Sequence, residues 1–358
     1  MVYFPRSTGL AILSLLSLAT AAAPPTCTPG EWVDLASIPQ PRQEHGTTAI
    51  GNTTIAILGG IIPTGNSTST TDLLQLYTIA SDTWHTVSPA PYKVNHPNIA
   101  AVDNKLYLIG GLIEGPLLPG LTMNWIASGA SHVYDIAADS WSELPSVPVG
   151  MERGSSVVGV HDEMIYLAGG MTVLQTGYQD AVDTVIAFNT TSGAWSRLVA
   201  EAAELPESRQ HAAGSVIGDS FYVVGGRRYG QLNTKDTVFQ LDLMDQEAGW
   251  KTSTGRMPVA RGGINGGAVG SKFYVFGGEG NPDTNTGVFN QSEEFDTVSQ
   301  GWAELRPMAV PRHGTQAAAV GGRVYVPGKG LQQDGKQVEV DGFVTFQNPS
   351  AHFDAYCA

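Results

Sequence analysis

The sequence predicts an all-β fold: one six-bladed β-propeller over residues 24–358, its ring closed by an N-terminal outer strand. Three observations carry this. First, an apolar strand ending in a glycine pair recurs as TIAILGG, LYLIGG, IYLAGG, FYVVGG and FYVFGG, with a degenerate VYVPGK as the sixth copy. The copies place the first residue of the pair at 59, 110, 169, 225, 277 and 328, at intervals of 51, 59, 56, 52 and 51 residues. Second, a tryptophan precedes each copy by 26 to 30 residues: Trp32, Trp84, Trp141, Trp195, Trp250 and Trp302. Self-similarity near 50 residues marks a repeat architecture. Third, each unit has room for four short strands and no helical stretch long enough for a βαβ crossover. Four-stranded sheets that pack face to face around an axis satisfy all three.

The chain has 358 residues, enough for a substantial core, with 42% hydrophobic and only 15% charged residues. Forty-three glycines and 21 prolines without a three-residue period indicate many tight turns. Residues 1–23 stand apart. Arg6 gives a positive start, GLAILSLLSLAT is too short to span a bilayer, and AAA at 21–23 offers small residues for cleavage. This reads as a secretory signal peptide, so the expected location is the secretory pathway or the extracellular space. Four sequons, Asn52, Asn66, Asn189 and Asn290, are candidate glycosylation sites, whereas Asn348 precedes a proline. Loss of Arg6 with the signal leaves 18 basic against 33 acidic residues. Charge of that sign repels nucleic acid and anionic membranes, and both are excluded as partners.

A glycine pair after a strand could cradle a phosphate or make a structural turn. A phosphate loop needs a following helix, which the sequence lacks, and six copies of one nucleotide site are implausible. The turn reading stands: glycine lets the chain leave the strand without a side-chain clash. Between each tryptophan and the next glycine pair lies a polar turn, often with Pro and Arg: PQPRQEHG, VPVGMERG, LPESRQHA, MPVARGG and AVPRHG.

Apolar strand, Gly-Gly, spaced Trp and Pro-Arg turn together resemble Kelch repeats over residues 30–346. The departures are Ala56, where the other copies carry an aromatic, and Lys329 in the last pair. After Lys329 only QVEVDGFVTF and a tail remain, and no tryptophan follows. EWVDLAS at 31–37 is therefore expected to supply the outer strand of the last blade. That closure brings together the chain's two cysteines, Cys27 and Cys357, which are expected to pair in an oxidising compartment.

The resemblance implies an axial mouth lined by two loop sets, one entering each innermost strand and one following each glycine pair. From the two sets, Arg153, Arg209, His211, Arg261 and His313 are the candidate catalytic residues. The candidate substrate contacts are His45, His96, Met123, Trp125, Tyr178, Arg228 and Tyr229. An alternative for each arginine is a structural role, bonding neighbouring carbonyls. GLIEGPLLPGLTMNWIASGAS, 111–131, is unusually long and apolar, and is expected either to pack on its blade or to roof the mouth. No two histidines have ligand spacing on one strand and no cysteine is spare, so no metal and no cofactor is expected. A G-x-S-x-G elbow is absent.

Three function classes follow. The first is a cofactor-independent enzyme acting on a hydrophobic small molecule in the axial pocket, similar to fungal secreted propellers that direct hetero-Diels–Alder coupling in natural-product biosynthesis. The second is a secreted protein- or glycan-binding module. The third is a sugar mutarotase or epimerase, with Glu207 and Arg209 as acid/base and carboxylate clamp.

Overall fold

A computed structural model describes residues 1, 26–64, 67–314, 316–333, 338–340, 343–345 and 348–358. All of the signal reading except Met1, and the Asn66 sequon, lie outside these residues.

The described residues form six antiparallel blades around one axis, five of them four-stranded sheets and blade 2 four strands extended by the hairpin Val173–Gln175 and Tyr178–Gln179. Blade 1 runs outward as Gly46–Ile50, Thr54–Leu58, Leu74–Thr78 and Thr83–Val87. Blade 2 begins with Ile99–Val102 and is dominated by two long strands, Lys105–Glu114 and Asn124–Asp135, before Ser140–Leu144. Blades 3, 4 and 5 start at Val157–His161, Ala213–Ile217 and Asn265–Val269. Blade 6 takes three strands from the C-terminal part, Ala318–Val320, Arg323–Pro327 and Phe353–Cys357, and its outer strand, Trp32–Asp34, from the N-terminal part. The register is Trp32 opposite Tyr356 and Asp34 opposite Asp354, as ring closure by the N-terminal strand requires. Cys27 and Cys357 form a disulfide across this seam, with Cα atoms 5.6 Å apart. Among the described residues, no helix is long and apolar enough to cross a membrane.

Each inter-blade space is filled by the aromatic-apolar strands. Tyr166 of blade 3 packs with Phe221, Val223 and Phe239 of blade 4 in one continuous core. Burying side chains of this size contributes about 1.5–3 kcal/mol each. The spaced tryptophans lock neighbouring blades. The indole Nε1 groups of Trp84, Trp141, Trp195 and Trp250 donate to the carbonyls of Ala36, Ser88, Pro145 and Ala202, each about 50 residues earlier in the chain. Trp32 closes the ring by donating to Arg306.

The glycine pairs are turns under steric compulsion. At Gly277 φ is +60°, and a Cβ there would lie 2.1 Å from the Arg312 carbonyl oxygen of the next blade. That closeness lets the second glycine donate across the gap: Gly278 N–H bonds the Arg312 carbonyl at 2.9 Å. Lys329, the departure in the last pair, adopts φ 88° and donates to Arg42 at 2.9 Å. The innermost strands enclose a channel of about 330 Å³, walled by small residues such as Thr47, Ala101, Ser156, Gly214 and Gly266.

Candidate functional site

Six turns lead into the innermost strands and share a three-residue register. The first position holds Arg42, Val94, Arg153, Arg209, Arg261 and Arg312. These five arginines are buried and bond their own blade. Arg42 donates to the Leu73 carbonyl and Gln75 Oε1, Arg153 to the Gly169 and Thr184 carbonyls, and Arg209 to Gly225 and Glu207. Arg261 holds Glu293 and Arg312 holds Asp354. The expectation that Arg153, Arg209 and Arg261 reach into the mouth is therefore corrected. A guanidinium has five N–H donors in a fixed fork, and here the forks bond carbonyls or a carboxylate of their own blade, in keeping with the structural alternative.

The third position holds Glu44, His96, Ser155, His211, Gly263 and Gly314, and all six have positive φ, from 48° at His96 to 136° at Gly314. Four are not glycine, and each pays backbone strain to adopt this conformation. The reward is a collar of hydrogen bonds around the axis. His96 N–H donates to the Glu44 carbonyl, Ser155 N–H to His96, Gly263 N–H to His211 and Gly314 N–H to Gly263, all at 2.8–2.9 Å. Ser155 Oγ accepts from His211 N–H at 3.2 Å, and Gln316 Oε1 accepts from Thr47 N–H at 3.0 Å.

This conformation turns the side chains inward. His96 Nε2 lies 3.2 Å from Glu44 Oε2 and 3.1 Å from His211 Nε2, and His211 Nε2 is 3.9 Å from Glu44 Oε2. His313, from the second turn position, brings Nδ1 to 3.6 Å from Glu44 Oε1 and 3.7 Å from Glu279 Oε1. Glu279 is paired with Arg227 at 2.6 Å. All six residues are at most 2% exposed. Burial, with the Arg227 and His313 charges adding to it, pushes His96 down to about 3. Burial lowers His211 well below its ordinary value. Burial works to raise the Glu279 carboxyl, but His313 and Arg227 together hold it below the usual range. Lys329, also enclosed, falls to about 7 through burial, which Glu44 partly offsets.

Above the collar, the residues after the glycine pairs divide by chemistry. Ile61, Leu112 and Met171 on blades 1–3 are apolar; Arg227 and Glu279 on blades 4 and 5 are charged. The long segment 111–131 is a hairpin, the outward continuation of Lys105–Glu114 and Asn124–Asp135. It pairs laterally with the blade 3 hairpin, Trp125 opposite Leu174. Trp125 is 7% exposed and packs with Ile61, Leu112, Met171 and Leu174, with Met123 alongside. Its ring centroid is 6.0 Å from that of His96. The segment thus stands on the collar's face of the ring.

The other sequence candidates scatter. His45 is buried between blades 1 and 6, its Nε2 3.0 Å from the Pro327 carbonyl oxygen, and it takes no part in the axial cluster. Tyr178, Arg228 and Tyr229 are exposed on the rim, with Arg228 over the Tyr229 ring at 5.5 Å. Glu207 is ringed by Arg209, Arg228 and Lys235 at 2.7, 3.7 and 3.1 Å. Burial would raise its carboxyl, but the Arg209 and Lys235 bonds hold it low, which suits a structural anion better than a general acid. Asn52 and Asn290 are exposed, and Asn189 is half-buried at the end of a strand, its Oδ1 accepting from the Thr191 and Ser192 N–H groups of the following turn.

Glu44, which belongs to the loop set entering the innermost strands, and Ser155 are collar members outside the candidate catalytic and substrate-contact residues. Superposing the six turns on their arginine register would have found both.

Six antiparallel blades, glycine-pair turns and carbonyl-binding arginines at the blade entrances define a Kelch-type propeller. A model of the KLHDC2/KLHL20/DRC7 Kelch-repeats domain matches residues 30–226 and, in a second overlapping match, 96–330. The chain is 36% identical to Kelch-like protein terF of Aspergillus terreus over 335 residues, covering 91% of this chain and 70% of that protein. It is 26% identical to human Kelch-like protein 38 over 61% of this chain, and 23% identical to the Kelch repeat and BTB domain-containing protein 1 of camelpox virus over 73%. The chain spans 32% and 42% of the lengths of those two relatives. It belongs to the Kelch-repeat family.

Proposed function

We propose that the chain is a secretory-pathway enzyme that binds a hydrophobic, oxygen-bearing small molecule at the axial mouth and guides a hetero-Diels–Alder cycloaddition. The observation that carries this reading is the apolar wall around Trp125, which sits directly against His96 of the polar collar. Further apolar surface is exposed on the neighbouring hairpins and loops: Leu117, Leu118, Tyr178, Tyr229 and Leu232. An apolar wall aligns two hydrophobic partners, and a polar group of the collar that engages the carbonyl end of the heterodiene would polarise it. The cycloaddition needs nothing more in balance: one C–O and one C–C bond form, two π bonds are consumed, and no group leaves. The secretory assignment rests on the character of residues 1–23 and on the disulfide, which suits an oxidising compartment.

The test is an ortho-quinone methide generated in situ with an electron-rich alkene, with and without the mature protein. Enantiomerically enriched adduct, formed faster than background, supports the reading. Racemic adduct at the background rate overturns it. Saturable binding of the adduct without acceleration would instead favour the binding module, which the exposed rim side chains also suit.

A further inference from the structure

We infer that Glu44, His96 and His211 form a binding site for one divalent first-row transition-metal ion, of which zinc is the representative. This goes beyond the proposed reaction and departs from the expectation of a cofactor-free protein. It stands on geometry and proton accounting.

The three ligand atoms come from blades 1, 2 and 4 and lie within 4.8 Å of one another. Their separations are 3.1, 3.2 and 3.9 Å. A tetrahedral ion with bonds of about 2.0–2.1 Å sets its ligands roughly 3.3–3.4 Å apart. Small side-chain adjustments bring the three to that spacing. Two imidazoles and one carboxylate are a ligand set of catalytic zinc sites, which keep a further position for water or substrate.

The protons are placed by the hydrogen bonds behind the ligands. A carboxylate only accepts, so Glu279 Oε2 fixes the direction of a chain of amides. Gln231 Nε2 donates to Glu279 at 2.9 Å, Gln179 Nε2 to Gln231 Oε1 at 3.2 Å, and Gln210 Nε2 to Gln179 Oε1 at 3.0 Å. Gln210 therefore presents its oxygen to His211 Nδ1. His211 Nδ1 carries the proton, and Nε2 carries the lone pair. His96 Nδ1 also meets a side-chain amide, but that amide ends on a hydroxyl, which donates or accepts, so the tautomer with the lone pair on Nε2 is the one that metal binding would select. His96 Nδ1 lies 2.7 Å from Asn95 Oδ1, while Asn95 Nδ2 donates to Thr70 Oγ1 at 3.0 Å. His211 Nε2, His96 Nε2 and Glu44 Oε2 thus face one another in a buried space, where one cation would be held by all three. Metal-bound histidines characteristically donate their other N–H to such an oxygen, which fixes tautomer and ring orientation.

The collar holds the three ligands in place. All three ligands adopt the left-handed conformation, with φ of 53°, 48° and 52°, and each is tied into the ring of backbone bonds. Strain at non-glycine residues persists where the surroundings over-determine it and gathers at functional sites. Where the proposed cycloaddition also holds, the ion supplies Lewis acidity toward the substrate's carbonyl oxygen; metal binding itself does not depend on that reading.

The experiment uses the mature protein, carrying no histidine tag, stripped with a chelator and titrated with Zn²⁺ and Co²⁺ without substrate. One ion per chain is expected, with visible ligand-field absorption in the Co²⁺ form. His96→Ala and His211→Ala should each weaken Zn²⁺ binding about 100-fold. Asn95→Ala, which leaves all three ligands in place, should weaken it about 10-fold. His352→Ala at the outer Asp34–His352–Asp354 cluster should change nothing. If the ligand variants do not fold, Asn95→Ala and the wild-type stoichiometry still decide. No stoichiometric ion on the wild type, or full affinity in Asn95→Ala and in the folded ligand variants, overturns the site. A proton shared by His96 and His211, seen by NMR in metal-free protein that ignores added Zn²⁺, overturns it too. Failure of the cycloaddition assay leaves these readouts untouched.

Discussion

Arg209 and His211 stand two residues apart in one turn, yet the structure gives them opposite surroundings. Arg209 points into its own blade, donating to the Gly225 carbonyl, whereas His211 points at the axis and meets residues from two other blades. The same split runs through the ring. First-position arginines fasten blades, and third-position residues assemble a centre that no single repeat contains. A repeat protein thus keeps its scaffold and its chemistry in one short segment, separated by a backbone turn into positive φ. Polar character alone does not tell the two apart; phase within the turn does.

The largest expected effect would break this comparison directly. Arg261→Met strands Glu293, which is 2% exposed, as a buried unpaired carboxylate. Losing one partner of a buried pair costs about 3–5 kcal/mol. Chemical denaturation should show a loss of that size, with ligand binding at the mouth retained in the folded fraction. Unchanged stability with lost binding would move Arg261 back among the site residues.

A second effect separates blade 6 from the other five, since only blade 6 draws its strands from both ends of the chain. Replacing Cys27 and Cys357 by serine removes a crosslink spanning 330 residues, and about 2–5 kcal/mol is the usual cost. The loss should concentrate in blade 6: hydrogen exchange at Val33 and Tyr356, which lie in the paired strands, should rise before exchange in blade 3. Uniform acceleration would mean that the ring opens as one unit.

The repeat phase, blade number and closing strand were legible in the sequence because each depends on local periodicity. The glycine pairs, tryptophans and arginine turns recur at readable intervals. The centre was legible only in part. His96, His211 and His313 were chosen as polar residues near the mouth, but so were Arg153, Arg209 and Arg261, which the structure buries in the blades. What distinguishes them is side-chain direction, set at Glu44, His96, Ser155 and His211 by positive φ and at His313 by its place one residue earlier in the turn. In residues other than glycine that conformation leaves no mark on composition. The convergence of Glu44 with His96 and His211 was hidden for a related reason: their spacings of 52 and 115 residues reflect the blade repeat rather than any local motif.

A third prediction sharpens the contrast between the apolar and charged sides of the mouth. Trp125→Ala should weaken binding of an apolar ligand by about 1–3 kcal/mol if the indole is covered on binding. Calorimetry with the cycloaddition product measures it. Tyr229→Ala on the opposite rim, where the ring already meets Arg228, should change the same affinity less. Equal effects would mean that the ligand spans both sides.

The smallest expected effect concerns the scaffold tryptophans, which differ in one atom's surroundings. Trp84 Nε1 donates to the Ala36 carbonyl at 2.7 Å, bridging blade 1 to the segment that enters it. Trp302 holds the corresponding place in blade 5, paired with Phe295, but its Nε1 is buried without a hydrogen-bond partner. A typical hydrogen bond contributes about 0.5–1.5 kcal/mol net, whereas a buried unsatisfied donor costs free energy in the native state. Both tryptophans are half-buried, and Phe replacement keeps most of the packing at each site. Trp84→Phe should therefore destabilise by about 1 kcal/mol more than Trp302→Phe, which removes an unsatisfied donor along with the packing. Paired urea melts read the difference directly. Equal losses would show that these tryptophans lock the blades by packing alone.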